Sequence, residues 1–302
     1  PSASQGGLAN RNTFAGLKSD SMGTLIAGIH DTPYKLATRS YDLFADTIAD
    51  NRSIMGGAGL HDARLGNVVA YISPAMSGFT LALATAAGAE LSTTGGGGNT
   101  KGNAWSFAAM YDGGALKGSL GYQTITVGSA GTGTLAGGTL ATSGAGLMQL
   151  GAASTATAVN DKTTAWKLGV SYTMDAFTVN GVYEKLTYNR AAIGADGLNE
   201  SNWYLSAKYN VTANDAIKFA YTAAGKNNNL TAGQVANTGS KQTTIGYDHT
   251  LSKRTSVYAL YSKLSNDPLA AYTFSQATSA TAANGGANSA PSVISLGFKH
   301  AF

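Results

Sequence analysis

VISLGFKHAF, residues 293–302, alternates without a break. Ile294, Leu296, Phe298, His300 and Phe302 fall on one side; Val293, Ser295, Gly297, Lys299 and Ala301 fall on the other. Successive side chains of a β-strand point to opposite faces, so this stretch reads as a strand with an apolar, aromatic face and a face of small residues and one lysine. The division recurs upstream. Trp166, Leu168, Val170 and Tyr172 oppose Lys167, Gly169 and Ser171. Trp203, Leu205, Ala207 and Tyr209 oppose Tyr204, Ser206, Lys208 and Asn210. Ile217, Phe219 and Tyr221 oppose Lys218, Ala220 and Thr222, and Leu116, Leu120 and Tyr122 oppose Lys117, Ser119 and Gln123. Period-2 segments predict about thirteen strands, near 11–18, 23–30, 61–73, 79–87, 104–112, 116–126, 163–173, 177–188, 202–210, 216–224, 241–251, 255–264 and 293–302.

Composition decides what the apolar face meets. Of 302 residues, 43% are hydrophobic and only 12% charged, about half the usual charged share of a soluble chain. No stretch approaches the ~18 consecutive apolar residues of a transmembrane helix. A closed β-barrel is the one remaining way to satisfy every backbone polar group in lipid, since its strands alternate and never form a run. The expected fold is therefore all-β, a transmembrane antiparallel β-barrel, in a single domain over 1–302.

The connectors agree. Short ones ("PAMSG", "GGA", "MDA", "TAND", "SKRT") are built from turn formers and alternate with long ones at 31–60, 88–103, 127–162, 189–201, 225–240 and 265–292. Short turns at one end and long loops at the other are the layout of a bacterial outer-membrane barrel. A soluble strand with one wet face would explain any single segment, but not the sorting of loops or the aromatics that end so many apolar faces. Lys299 is then expected to face water inside, and Phe302 lipid outside.

Other classes fare worse. With no cysteine there is no disulfide framework and no thiolate metal site. The net charge of +4 is spread thinly, with no polybasic block, so no nucleic-acid partner is expected. The histidines His30, His61, His249 and His300 come with no serine or acid motif for catalysis, and the neighbours His30–Asp31 and His61–Asp62 would point apart on a strand. No enzyme, cofactor or metal is expected. "TTGGGGNTKGN" (93–103) lacks a strand–loop–helix context and reads as a surface loop.

"SLGFKHAF" resembles the terminal strand of Gram-negative porins, which finish on Phe, an ending read in that family by the barrel-insertion machinery. "HDTPYKLATRSYDLFADTIADNRS" (30–53) is similar to the inward-folded third loop of the neisserial and proteobacterial group. "ARLGNVVAYISPAMSGFTLALA" (63–84) resembles the hairpin that follows it, and "YDHTLSKRTSVYALYSKL" (247–264) a late hairpin. The resemblance implies a homotrimer in the outer membrane of a Gram-negative bacterium, in contact with its lipid and lipopolysaccharide, acting as a channel for ions and small hydrophilic solutes. A substrate-tuned channel stays open beside the general pore; an adhesive or scaffolding barrel would need aromatic and charged loop anchors, which these small-residue loops lack. The family has sixteen strands, with the third loop after the fifth. Here the equivalent loop follows the second, so the first three strands are expected to be absent from this sequence. The sequence adds to the trimer only that Ala82, Ala84, Ala86 and the Gly-rich 118–121 strand could give a smooth outer wall.

The porin layout makes residues 31–60 the constriction, with Asp31, Asp42, Asp46, Asp50, Lys35 and Arg39 lining it and Arg52 close by. "YDLFADTIAD" (41–50) has helical spacing; it predicts a short helix around 41–49 that packs Leu43, Phe44, Thr47 and Ile48 on the wall and lines Asp42, Asp46 and Asp50 along one face. Strand parity sends Arg64, Lys117, Lys167, Lys208, Lys218 and Lys299 inward, with Arg11 and Lys263 less firmly placed, against the inward acids Glu184 and Asp248. The tally leans cationic and predicts weak anion selectivity. Two departures from the family temper the constriction: "AGIHD" has Ile29 and His30 where relatives have Arg, and Val68, Ala70 and Ile72 are apolar at inward positions.

Overall fold

A computed structural model describes residues 12–58, 61–62, 64–87, 103–126, 133–135, 138–140, 162–190, 195–228, 237–274 and 288–301. In chain order the elements are β1 (Thr13–Ser19), β2 (Gly23–Asp31), α1 (Pro33–Arg39), a 3-10 turn (Asn51–Ser53), α2 (Met55–Ala58), β3 (Arg64–Ile72), β4 (Phe79–Ala87), β5 (Asn103–Asp112) and β6 (Leu116–Thr126). There follow β7 (Gly133–Leu135), β8 (Gly138–Leu140), β9 (Lys162–Met174), β10 (Phe177–Arg190), β11 (Ala195–Asn210), β12 (Asp215–Ala224), β13 (Ser240–Ser252), β14 (Thr255–Asn266) and β15 (Ser292–His300). Thirteen strands form one sheet, each paired antiparallel with its neighbour in sequence, while β7 and β8 make a separate hairpin between β6 and β9. β1 and β15 are the edges of the large sheet.

Turn chemistry pins the registers. Gly78 sits at φ +86° beside Ser77 at φ +51°, closing the β3–β4 turn in a left-handed conformation that a larger residue at 78 would strain. Gly23 plays the same part at the start of β2, at φ +87°.

The two faces differ as the alternation requires. Outward lie Leu81, Leu83, Leu168, Val170, Val179, Leu205, Phe219, Ile245 and Leu296, about half exposed or more, a surface that water would not tolerate and lipid does. Aromatics bound this band. Near the short turns Phe79 packs on Tyr111 at 4.8 Å and Phe177 on Tyr209 at 4.5 Å between ring centres. Towards the long loops Trp166, Tyr183 and Trp203 stack in a row at 5.2 and 4.5 Å. Trp203 and Tyr209 lie six residues apart on β11, roughly 20 Å along the strand, with the apolar residues of that strand between them.

Three expectations are corrected here. Ala82, Ala84 and Ala86 are buried on the inner face, next to the packing of α1, so they give no smooth outer wall. Within the Gly-rich 118–121 stretch, Gly121 also faces inward, with Ala37 of α1 against it. Lys263 faces outward, between the inward-facing Ser262 and Leu264. Arg11 and Phe302 lie outside the described residues.

Candidate functional site

The segment between β2 and β3 does not leave the sheet. Thr32 caps α1, its hydroxyl accepting from Lys35 N, and Pro33 occupies the first turn, where a missing N–H costs nothing. The helix packs on the inner face of β4, β5, β6 and β9, with Tyr34 N donating to Ser106 Oγ at 2.8 Å. Residues 41–49 then cross to the other side, where Tyr41, Phe44 and Ala49 cluster with Val182, Tyr204, Ala220 and Leu260. One segment that touches β4 and also β15, through Lys299 Nζ to Ala45 O at 3.2 Å, requires the sheet to curve around it. Val68 and Ala70, apolar on the inner face of β3, lie beneath this cover with Tyr34, Ile125 and Leu186, and are dry.

Residues 41–49 are turns, not a helix. The physical reason lies in the aspartates. Asp42 accepts from Phe44 N at 2.9 Å and Asn51 N at 3.0 Å, and Asp50 from Asp46 N at 2.9 Å and Arg52 N at 3.0 Å. Short carboxylates that hold nearby N–H groups compete with the helical ladder. Asp42 and Asp50 are therefore buried and structural, and do not share a pore-facing row with Asp46. Only the Asp46 side chain is open, at 62% exposure, and Arg39 grips it at 2.7 Å with Arg52 at 3.5 Å.

Asp50 is the centre of this cluster, bonded by Arg39 Nη1 at 2.9 Å and Arg52 Nη2 at 2.7 Å. Burial alone would raise its carboxyl, but the Arg52 hydrogen bond and the two guanidinium charges outweigh it and hold the carboxyl down to about 2. Asp42 goes the other way: burial, then the charge of Asp50, pushes it up to about 6 against the two backbone N–H groups. Asp31 pairs with Lys35 at 2.7 Å and Arg64 at 3.6 Å.

The wall lysines divide into two sets. Lys167, 2% exposed, bonds Asp62 at 2.9 Å and stands 4.0 Å from the Tyr34 ring centre, beneath the loop. Lys218 bonds Asp248 at 2.6 Å and Leu43 O at 2.9 Å, so it ties the loop down. Lys117 pairs with Asp112 at 2.7 Å near the β5–β6 turn. Lys208, by contrast, stands on the inner face in register with Lys218, and Lys299 reaches the Ala45 carbonyl and lies 5.7 Å from the Tyr258 ring centre; among the described residues neither has a carboxylate partner.

Over residues 2–269 the sequence matches the Gram-negative porins. The chain belongs to that family. Among solved structures, an anion-selective porin from Comamonas acidovorans is similar with a TM-score of 0.71 at 22% identity, covering 97% of this chain and 78% of that one. OmpT of Vibrio cholerae, folded in vitro, gives 0.65 at 15% identity over 96% and 79%. Salmonella typhi OmpF in complex with daunomycin gives 0.58 at 15% over 95% and 78%. No curated protein matches. As a porin, the protein lies in the bacterial outer membrane and forms a water-filled channel for passive diffusion of ions and small hydrophilic solutes.

Of the residues that anchor the porin's loop, strand parity singles out Glu184 as an inward acid but not its loop partners. Tyr34 Oη donates to Glu184, whose carboxylate also takes Gly56 N at 2.8 Å and Asn202 Nδ2 at 3.0 Å. Tyr204 Oη donates to Asp42 at 3.1 Å and accepts from Leu43 N at 3.0 Å. Two inward glycines make room for aromatics: a Cβ at Gly246 would stand 2.6 Å from Phe44, and one at Gly169 would collide with Tyr41. The legible signal was the glycine itself, at inward positions of otherwise well-formed strands.

Proposed function

We propose that this porin is a weakly anion-selective, general diffusion channel whose constriction is lined by residues 31–62, with no catalytic role. The observation that carries the sign is the charge balance inside. Asp31, Asp46, Asp50, Asp62 and Asp248 are each paired with a basic side chain, and Asp42 is buried beside Arg39. Glu184 and Glu200 have no ion-pair partner among the described residues but are sealed from the water path and bonded to Tyr34, Asn202 and Tyr272. Lys208 and Lys299 are accessible and uncompensated among the described residues. A few unpaired ammonium groups in a narrow aqueous opening raise the local anion concentration and repel cations. Reversal potentials across planar bilayers in a salt gradient test this. A small preference for chloride over potassium is expected; a strong cation preference overturns it.

The channel is further proposed to be a homotrimer, inserted by the barrel-assembly machinery through its Phe302 ending. Lipopolysaccharide is its proposed outer contact. Supporting that contact, Lys185 lies in register with Trp166, and Lys241 through Ala223 with Trp203, so outward cations flank the aromatic row on the long-loop side. Anionic headgroups meet a barrel at that level.

A further inference from the structure

A second segment also turns into the barrel. After β14, Asp267 N donates to Gly239 O at 2.9 Å, the Asp267 carboxylate takes Gly239 N at 3.0 Å, and Leu269 N donates to Asn237 O at 2.8 Å. Asn266 holds both main-chain groups of Tyr272, its Nδ2 donating to Tyr272 O at 3.0 Å and its Oδ1 accepting from Tyr272 N at 3.2 Å. Tyr272 Oη then donates to Glu200 Oε2 on the inner face of β11 at 3.1 Å. Ala270, Tyr272 and Phe274 are all but inaccessible, and they form one apolar cluster with Ala224, Leu264 and Ile54. Ile54 caps the C-terminal end of the constriction loop's 3-10 turn, two positions after Arg52.

Loops at the mouth of a water-filled channel gain nothing from burying two large aromatics unless these cover something apolar. What they cover is Ile54 and the wall beside it. We infer that residues 266–274 are a positioning clamp for the constriction: Tyr272 and Phe274 fix Ile54, and through it the adjoining Asp50–Arg52 turn, against β12 and β14. The Arg39–Asp50–Arg52 group then has one position in the passage rather than several, and the open channel has one current level. Neither aromatic touches the permeating ion; they act through Ile54.

Single-channel recording tests this. Phe274→Ala leaves Ile54 poorly packed and makes docking of the turn roughly a hundredfold less favourable. Expected are extra current levels and a closing threshold at lower voltage, with wild-type steadiness kept by the ring-conserving Tyr272→Phe. If Phe274→Ala does not assemble, Ile54→Ala removes the same contact from the loop side and is expected to give the same extra levels. Steady, wild-type currents from either alanine variant overturn the clamp. The inference rests on residues 31–62 being the constriction, which is read separately. If Arg52→Gln shifts the reversal potential while Phe274→Ala leaves the current steady, the constriction stands and the clamp falls.

Discussion

Lys208 and Lys218 are cross-strand neighbours on the same inner face, yet among the described residues only Lys218 of the two has a carboxylate, Asp248 at 2.6 Å. That difference decides their roles. A unit charge ~5 Å from a passing ion in water contributes about 0.8 kcal/mol before screening, so Lys208→Gln should lower the anion-to-cation permeability ratio roughly two- to fourfold at low salt. The effect should fade as the Debye length shrinks below ~10 Å. Replacing both members of a neutral pair, Lys167→Gln with Asp62→Asn, should leave selectivity unchanged, because the pair carries no net charge; bilayer reversal potentials check both. Asp42 supplies a pH prediction. Its carboxyl is raised to about 6, so acidification from neutral removes a negative charge from the loop. Anion preference should rise with a midpoint near that value, and Asp42→Asn should abolish the step. For stability the signs oppose. The raised Asp42 carboxyl favours the fold at low pH, and that contribution is lost as pH rises through about 6. The Asp50 carboxyl is held to about 2, so its contribution is present above the ordinary carboxylate range and is lost as pH falls through that value.

At the scale of elements, the strands were legible and the loop was not. Every expected strand is present in the thirteen-stranded sheet, with ends shifted by three residues or fewer except at β11, which begins at Ala195 instead of 202. Alternation repeats along the chain, and each copy supports the same register. The loop helix was placed at 41–49 and stands at Pro33–Arg39. The start signal was in the sequence, Thr32 followed by Pro33, but the stronger apolar spacing lay downstream, where aspartate side chains turn the backbone instead. Thr32→Ala should cost about 1 kcal/mol of loop stability. Gly246→Val should cost more, about 1–3 kcal/mol of overpacking, because its side chain enters the space of Phe44. Thermal melting of the detergent-solubilised protein reads both, and a Gly246→Val variant as stable as wild type would show that Phe44 is not seated there.

For the whole molecule, the outward surface is apolar from one aromatic row to the other, so it is stable only in lipid or against another apolar wall. If three barrels associate through such walls, mild detergent should retain one oligomer that heating in denaturing detergent dissociates. Recovery of monomer alone at every protein concentration would exclude the trimer. The trimer argument from small residues no longer applies, since Ala82, Ala84 and Ala86 face the lumen. The outward faces of β3 and β4 instead present Val69, Tyr71, Leu81 and Leu83.

By itself the sequence determined the strands, the alternation of an apolar with a polar face and the lipid as solvent, since all three follow from a period of two and a shortage of charge. It also placed Lys117, Lys167, Lys208, Lys218 and Lys299 on the inner face, though Lys263 turned out to face outward. What it could not decide was which of those charges an ion would meet. Pairing depends on where a loop about thirty residues long comes to rest, and that is set by contacts distant in sequence: Tyr34 with Glu184, Lys167 with Asp62, Lys218 with Leu43 O, Phe44 over Gly246. Parity is a local property of the backbone, whereas neutralisation requires two groups within hydrogen-bond distance. Only the tertiary structure brings them there.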